Sequence, residues 1–489
     1  DRRDGAAFLP LAGGGERKAG REAGKGGKEK KVKRESPEEQ RKQMLEAPIP
    51  GLIGRLAVPT IISMLVTSIY NMADTYFVSH IGAGDGATSA SGAVSIVFSL
   101  MAIIQAVGFT VGMGAGSITS RLLGKGWKER ADQYASSAVI LGLVLGLLLM
   151  SVCFVWIDEL VWLLGATPTI YPYALDYARY IIFGAPVMIL AYILNNLLRW
   201  QGKANRSVIG LGFGGLLNIV LDPILIFTFD MGISGAAIAT LFSQCVSLAI
   251  LASFFVRGQS DIRVSPRLIA REAKVYGDIL KSGLPSFLRQ GMSSVASVSL
   301  NLNAGLYGDP AVAAMGIVTK VFTFIMSVVI GFGQGFQPVC GFSYGARKYS
   351  RVRQAYWFCV KFTTCILVVV CAGGFLVSGH VISLFRKNDP EVIAIGTLAL
   401  RLQIATMWMN GFLTMSNMMS QSIGYGFRAT LLAISRQGLF LIPVLLIAAH
   451  FLGLLGIQLA QPVADIATLV LTLVIIRGIF REFNKLEGL

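Results

Sequence analysis

Two carboxylates sit inside apolar sequence: Asp74 in NMADTYF and Asp222 in LNIVLDPILIF. If both stretches are helical, Asn218 shares the face of Asp222 one turn away, and Asn71 stands similarly beside Asp74. At a rise of about 1.5 Å per residue, Asp74 lies roughly 9 Å inside the end of its apolar run. Asp222, and Thr240 in the next run, fall at about the same depth by the same rise. Carboxylates, amides and a hydroxyl at one level suit a proton or a small hard cation such as Na+. Hard cations take oxygen ligands, and a desolvated carboxyl takes up a proton more readily. The competing assignment is local: Asp222 satisfies backbone groups freed at Pro223.

A second set lies toward the C-terminus. The tenth apolar run carries Gln403, Met407, Trp408, Met409, Asn410, Met415, Met418, Met419 and Gln421. Methionine adapts to differently shaped apolar ligands, although such a stripe at helical spacing also serves ordinary packing. Arg436 and Gln437 in ISRQG lie inside the eleventh run, where the arginine either faces a cavity or snorkels to the surface. His80, His380 and His450 fall at the outer ends of runs, as interface histidines do.

The elements that position these residues are membrane helices. The 489-residue chain is 54% hydrophobic and 14% charged, against roughly 25% charged in soluble proteins. About twelve apolar runs follow residue 50, each near the ~20 residues that span a bilayer. They are too long and too evenly apolar for barrel strands, which leaves helices as the way to satisfy the backbone in lipid. The fold class is therefore all-α and polytopic. The net charge of +16 follows from basic loops and a basic tail and does not call for a nucleic-acid partner. The six cysteines show no metal or disulfide spacing, and no zincin, phosphate-loop or triad motif suggests an enzyme or a cofactor.

Residues 1–46 are rich in Gly, Lys, Glu and Arg and read as a disordered tail without a signal-peptide core. Six runs fill 50–257, a basic linker occupies 258–279, six more fill 280–480, and 481–489 form a C-terminal tail. Basic loops around Arg121–Arg130, Arg199–Arg206 and Arg347–Arg353 alternate with poorer ones, which puts both termini in the cytoplasm. Arg386 and Lys387, in an outer loop, are the exception.

The halves resemble each other. LAVPTIISMLVTSIYNMADTYFVSHIG at 56 matches GLPSFLRQGMSSVASVSLNLNAGLYG at 283 in proline position, length and closing glycine. GFTVGMGAGSITSRLLGKGWKERADQ at 108 matches GFGQGFQPVCGFSYGARKYSRVRQ at 331, each a Gly-rich helix end before a basic loop. Two six-helix halves that start on the same side form a parallel repeat, the build of transporters that hold cargo between halves. The second half does not duplicate the acidic site: Leu300 stands where Asp74 would fall, and GLFLIPVLL replaces LLNIVLDPILI.

At these residues the chain resembles the multidrug and toxic compound extrusion (MATE) family, DinF-like branch. The resemblance is carried by Pro59 and Asp74 in the first run, VGFTVGMGAGSITSRLLGKG, LRWQGKANR, NIVLDPILIF with GISGAAIATLFSQ, and SRQG. It implies two six-helix lobes and proton- or sodium-coupled antiport of amphipathic, often cationic compounds from the bacterial cytoplasm, with an ion site at Asp74, Asn218, Asp222 and Thr240. The family branch with acids in spans seven and ten finds no counterpart in SFLRQGMSSVASV or QIATMWMNGFLTM, so no second-lobe acidic site is expected. The expected partners are a small-molecule cargo and the lipid bilayer, with a monomer sufficient for function. The rivals are a lipid-linked oligosaccharide flippase of the same superfamily, kept open by Arg289, Lys320 and Arg436, and a non-transporting receptor or scaffold.

Overall fold

A computed structural model describes residues 37–78, 85–385 and 389–488 of the chain. Its elements are helices: α1 (Pro37–Glu46), α2 (Ile49–Val78), α3 (Asp85–Lys125), α4 (Lys128–Val155) and α5 (Ile157–Leu163) come first. Then follow α6 (Tyr171–Trp200), α7 (Ala204–Pro223), α8 (Gly232–Val256), α9 (Ala273–Gly305), α10 (Asp309–Gly345) and α11 (Tyr349–Phe385). The chain ends with α12 (Pro390–Met407), α13 (Asn410–Ile423), α14 (Gly426–Ile434), α15 (Ile442–Leu452) and α16 (Leu454–Glu487).

Among the described residues, ten helical segments are long and apolar enough to cross a membrane, and the bent pair α12–α13 makes an eleventh. At the place of the seventh run, α9 is long enough at 33 residues but falls short of that apolarity, because its polar face carries Arg289, Gln290, Ser293 and Ser297. Six of these spans precede the linker and five follow it, with α9 opening the second half. The protein is a multi-pass helical membrane protein of the expected class.

Among the described residues three spans are interrupted, and each break has a local cause or consequence. α7 ends at Pro223 and continues as a π-helical turn, Ile224–Thr228. In the corresponding span of the second half, α14 passes into a π-helical segment, Ser435–Leu441, before Pro443 restarts the α-helix in α15. π-Helical turns of this kind concentrate at functional sites. The tenth span bends by 54° between α12 and α13, at Trp408 and Met409.

The two halves meet along α3 with α9, α2 with α10, and α3 with α10. Glycines let the backbones touch. A Cβ at Gly114 would lie 2.1 Å from the Ile279 carbonyl oxygen, and one at Gly283 would lie 1.9 Å from that of Thr110. Ser117 donates to the Gln421 carbonyl (2.9 Å), and the Gln421 amide donates to Ser286 (2.7 Å). These contacts sit near the end that carries the basic loops, so the halves are sealed there. We expect Gly114→Leu to destabilise this seal by about 1–3 kcal/mol, the usual cost of overpacking. Spin-label distances between the ends of α3 and α9 would lengthen; an unchanged distance would contradict the close packing.

The expected disorder of 1–46 is corrected at its end. Residues 37–46 form α1, with Met44 and Leu45 buried. Arg41 donates to the Gly124 carbonyl (3.0 Å) from one half, while Arg351 of the other donates to the carbonyls of Met44 (3.1 Å) and Ala47 (2.6 Å). Docking, rather than local composition, orders this helix. Residues 1–36, His80, Arg386 and Lys387 lie outside the described residues. The linker is pinned to the first half: Lys203 pairs with Asp261 (2.5 Å), and Gln201 accepts from the Asp261 amide (2.8 Å). Burial raises the Asp261 carboxyl above its ordinary range, while Lys203 opposes that rise.

Candidate functional site

In the first half, α7 and α8 approach closely because glycine faces α8. A Cβ at Gly214 would meet Ser247 Oγ at 1.9 Å, and Ser247 donates to the Gly210 carbonyl at 3.0 Å. One to two turns beyond this contact, Asn218 and Asp222 of α7 meet Thr240 of α8. Asn218 Nδ2 donates to Asp222 Oδ1 (3.0 Å) and lies 3.4 Å from Thr240 Oγ1. All three side chains are buried, Asp222 completely so. Asn218 Oδ1 has no hydrogen-bond partner among the described residues. The π turn begins two residues after Asp222, and Gly235 of α8 lies against the Leu225 backbone within it. Asn71 and Asp74 are on α2, which packs along α7; their side chains lie outside the described residues.

The second half holds a carboxylate that sequence reasoning passed over. Asp465 on α16 is fully buried and accepts from four side chains. Arg436 Nε (2.7 Å) and Gln461 Nε2 (2.9 Å) bind Oδ1; Thr406 Oγ1 (3.2 Å) and Asn410 Nδ2 (3.4 Å) bind Oδ2. Thr406 and Asn410 straddle the break between α12 and α13, and Arg436 stands in the π-helical segment. Asp465 thus ties two backbone irregularities to α16. The stretches of spans seven and ten in which no acid is expected carry none; Asp465 is a buried acid of the second half in another span, paired with Arg436. The missed signal was an aspartate within the twelfth apolar run, one turn after Gln461.

Next to this network lies a cavity of about 390 Å³, lined by α9, α10, α12, α13, α16 and the π-helical span. Gln403, Asn410, Arg436 and Gln437 are among its lining residues. Arg436 faces this space and does not snorkel; its guanidinium lies 4.7 Å over the Phe322 ring. The methionine stripe is elsewhere. Met407, Met415, Met418 and Met419 are buried in packing, with Met415 and Met418 against Gly333 of α10, and Met409 sits at the bend, outside the cavity wall. The cavity's own methionines, Met315 and Met326, come from α10.

The profile of the MatE family matches residues 59–224 and 285–447, once in each half and starting each time at the proline that the repeat aligns. The chain belongs to the MatE family. The multidrug export protein MepA of Staphylococcus aureus is 28% identical over 86% of this chain and 92% of its own length. MepA of Staphylococcus saprophyticus is also 28% identical, over 84% and 89% respectively. A solved structure described as the outward-facing conformation of a multidrug resistance MATE transporter superposes with a TM-score of 0.84 and 29% identity, covering 91% of this chain and 98% of its own. As a MatE protein the chain belongs with multidrug efflux transporters, and its relatives are transporters rather than enzymes.

Proposed function

We propose that the chain is an ion-coupled antiporter that exports amphipathic drugs or metabolites by alternating access between its two halves. The reading rests on the buried Asp222–Asn218–Thr240 cluster. A carboxylate in such a place costs several kcal/mol as a bare charge, so it favours taking up a proton or a hard cation. The open Asn218 oxygen beside it offers a further ligand or acceptor. We assign Asn71 and Asp74 to the same site because α2 runs along α7. Occupancy by H+ or Na+ would neutralise Asp222, loosen its bond to Asn218 and let the neighbouring π turn repack against α8, which changes how the first half meets the second.

We read the closely packed basic end as the cytoplasmic side, with the halves opening away from it, both termini cytoplasmic and the bacterial inner membrane as the setting. A single chain contains both halves, so a monomer suffices. The acids of the first half suit cationic cargo; the second half carries the opposite charge. Expression in a host stripped of its own pumps tests the reading: dye efflux is expected under one of the two gradients, proton or sodium, when that gradient is imposed alone. Efflux equal to that of cells lacking the protein under both gradients would sink it.

A further inference from the structure

The second-half cavity has an unbalanced charge. Its wall includes two guanidinium groups, Arg289 from α9 and Arg436 from the π-helical span, and among the described residues lining it there is no Asp or Glu. Asp465 does not supply the missing charge. It is fully buried behind the wall, and both its oxygens are already occupied by Arg436, Gln461, Thr406 and Asn410. One carboxylate therefore answers one of two arginines. Arg289 has no ion-pair or hydrogen-bond partner among the described residues. Among the described residues, Arg436 is bonded through Nε alone, and its Nη2 has no partner.

A guanidinium is always charged and presents a planar fork of donors that matches a carboxylate. In a low-dielectric surrounding, a cation without a counter-charge is unfavourable, so the empty partner position selects for an anion. The rest of the wall supports the same ligand. Gln290, Ser293 and Gln437 add neutral polar groups, whereas Phe322, Met315 and Met326 offer a flexible apolar face.

We propose that this cavity binds an amphipathic organic acid, with its carboxylate at Arg289 and the free edge of Arg436 and its apolar body against the α10 side. The inference rests on the transporter reading and names the charge class of cargo for the second half. It runs against the expectation of purely cationic cargo. A compound that carries both signs satisfies it through its acidic end.

The test compares three probes with one apolar body: 1-pyrenebutyrate, its neutral methyl ester and a pyrenebutyl trimethylammonium. Each is titrated into the full chain in nanodiscs of zwitterionic lipid without an ion gradient, with pyrene anisotropy as the readout. The acid is expected to bind about 10-fold or more tighter than the ester, as charge-assisted hydrogen bonds provide. The ammonium is expected to bind more weakly still. Arg289→Gln should remove most of the acid's advantage while leaving ester binding unchanged, and Arg289→Lys should restore part of it. An ester or ammonium that binds as tightly as the acid to the unaltered protein would overturn the proposal, whatever the folding of the variants. Failure of the antiport reading would register separately, as loss of gradient-driven efflux without any change in this ranking.

Discussion

Asp222→Asn is expected to fold and insert normally and to lose gradient-driven efflux down to the level of empty membranes. The substitution keeps the shape of the side chain, and its amide oxygen still accepts from Asn218 Nδ2, which now bonds Asp222 Oδ1 at 3.0 Å. It removes a buried charge, so stability should hold or rise slightly. What the asparagine cannot do is titrate or offer a full negative charge to a cation. The cluster is then fixed in its neutral condition, and the π turn at Ile224–Thr228 no longer follows the ion gradient. Size-exclusion behaviour and thermal unfolding establish folding, and efflux under an imposed gradient establishes coupling. Efflux near the unaltered rate would show that Asp222 only completes local packing by Pro223.

Asp465→Ala is expected to act on stability first. Arg436 has a side chain only 16% exposed, and its one anionic partner among the described residues is Asp465. Removal of one member of a buried pair leaves the other charged and desolvated, a cost of about 3–5 kcal/mol. Thr406, Asn410 and Gln461 lose their acceptor as well, so the bend between α12 and α13 loses the bonds that span it. A marked fall in melting temperature follows, and the double variant Asp465→Asn with Arg436→Gln should recover much of it by removing both charges together. The recovery separates charge imbalance from simple loss of packing. An unchanged melting temperature for Asp465→Ala would contradict the network.

Much of the architecture is legible in the chain because lipid leaves few choices. Apolar run lengths, alternating loop charge and the matched prolines at 59 and 285 announce twelve spans in two halves, and the family matches begin at those prolines. Asn218, Asp222 and Thr240 come together because helical spacing and depth are arithmetic on the sequence. Asp465 escaped for a definable reason. The repeat aligns the halves position by position, and the second half's acid stands in its last span, whereas Asp222 stands in the fifth. The bend at Trp408 and Met409 has no proline or glycine at the break to mark it; it is held by bonds to a distant aspartate. Likewise α1 has the composition of a disordered tail, and its order comes from Arg351 and Gly124, which no local pattern reveals. The methionine stripe packs because α10 brings Gly333 against it, a contact set by the tertiary fold.

In the proposed mechanism, export is driven by an ion that occupies the Asp222 cluster. The most direct measurement uses purified protein in sealed liposomes, with cargo movement followed while a proton gradient, a sodium gradient or neither is imposed. Uphill cargo movement opposite to one of the two gradients is expected, with none when both are collapsed and none in Asp222→Asn. Cargo movement that is equal with and without a gradient, or that survives in Asp222→Asn, would contradict it.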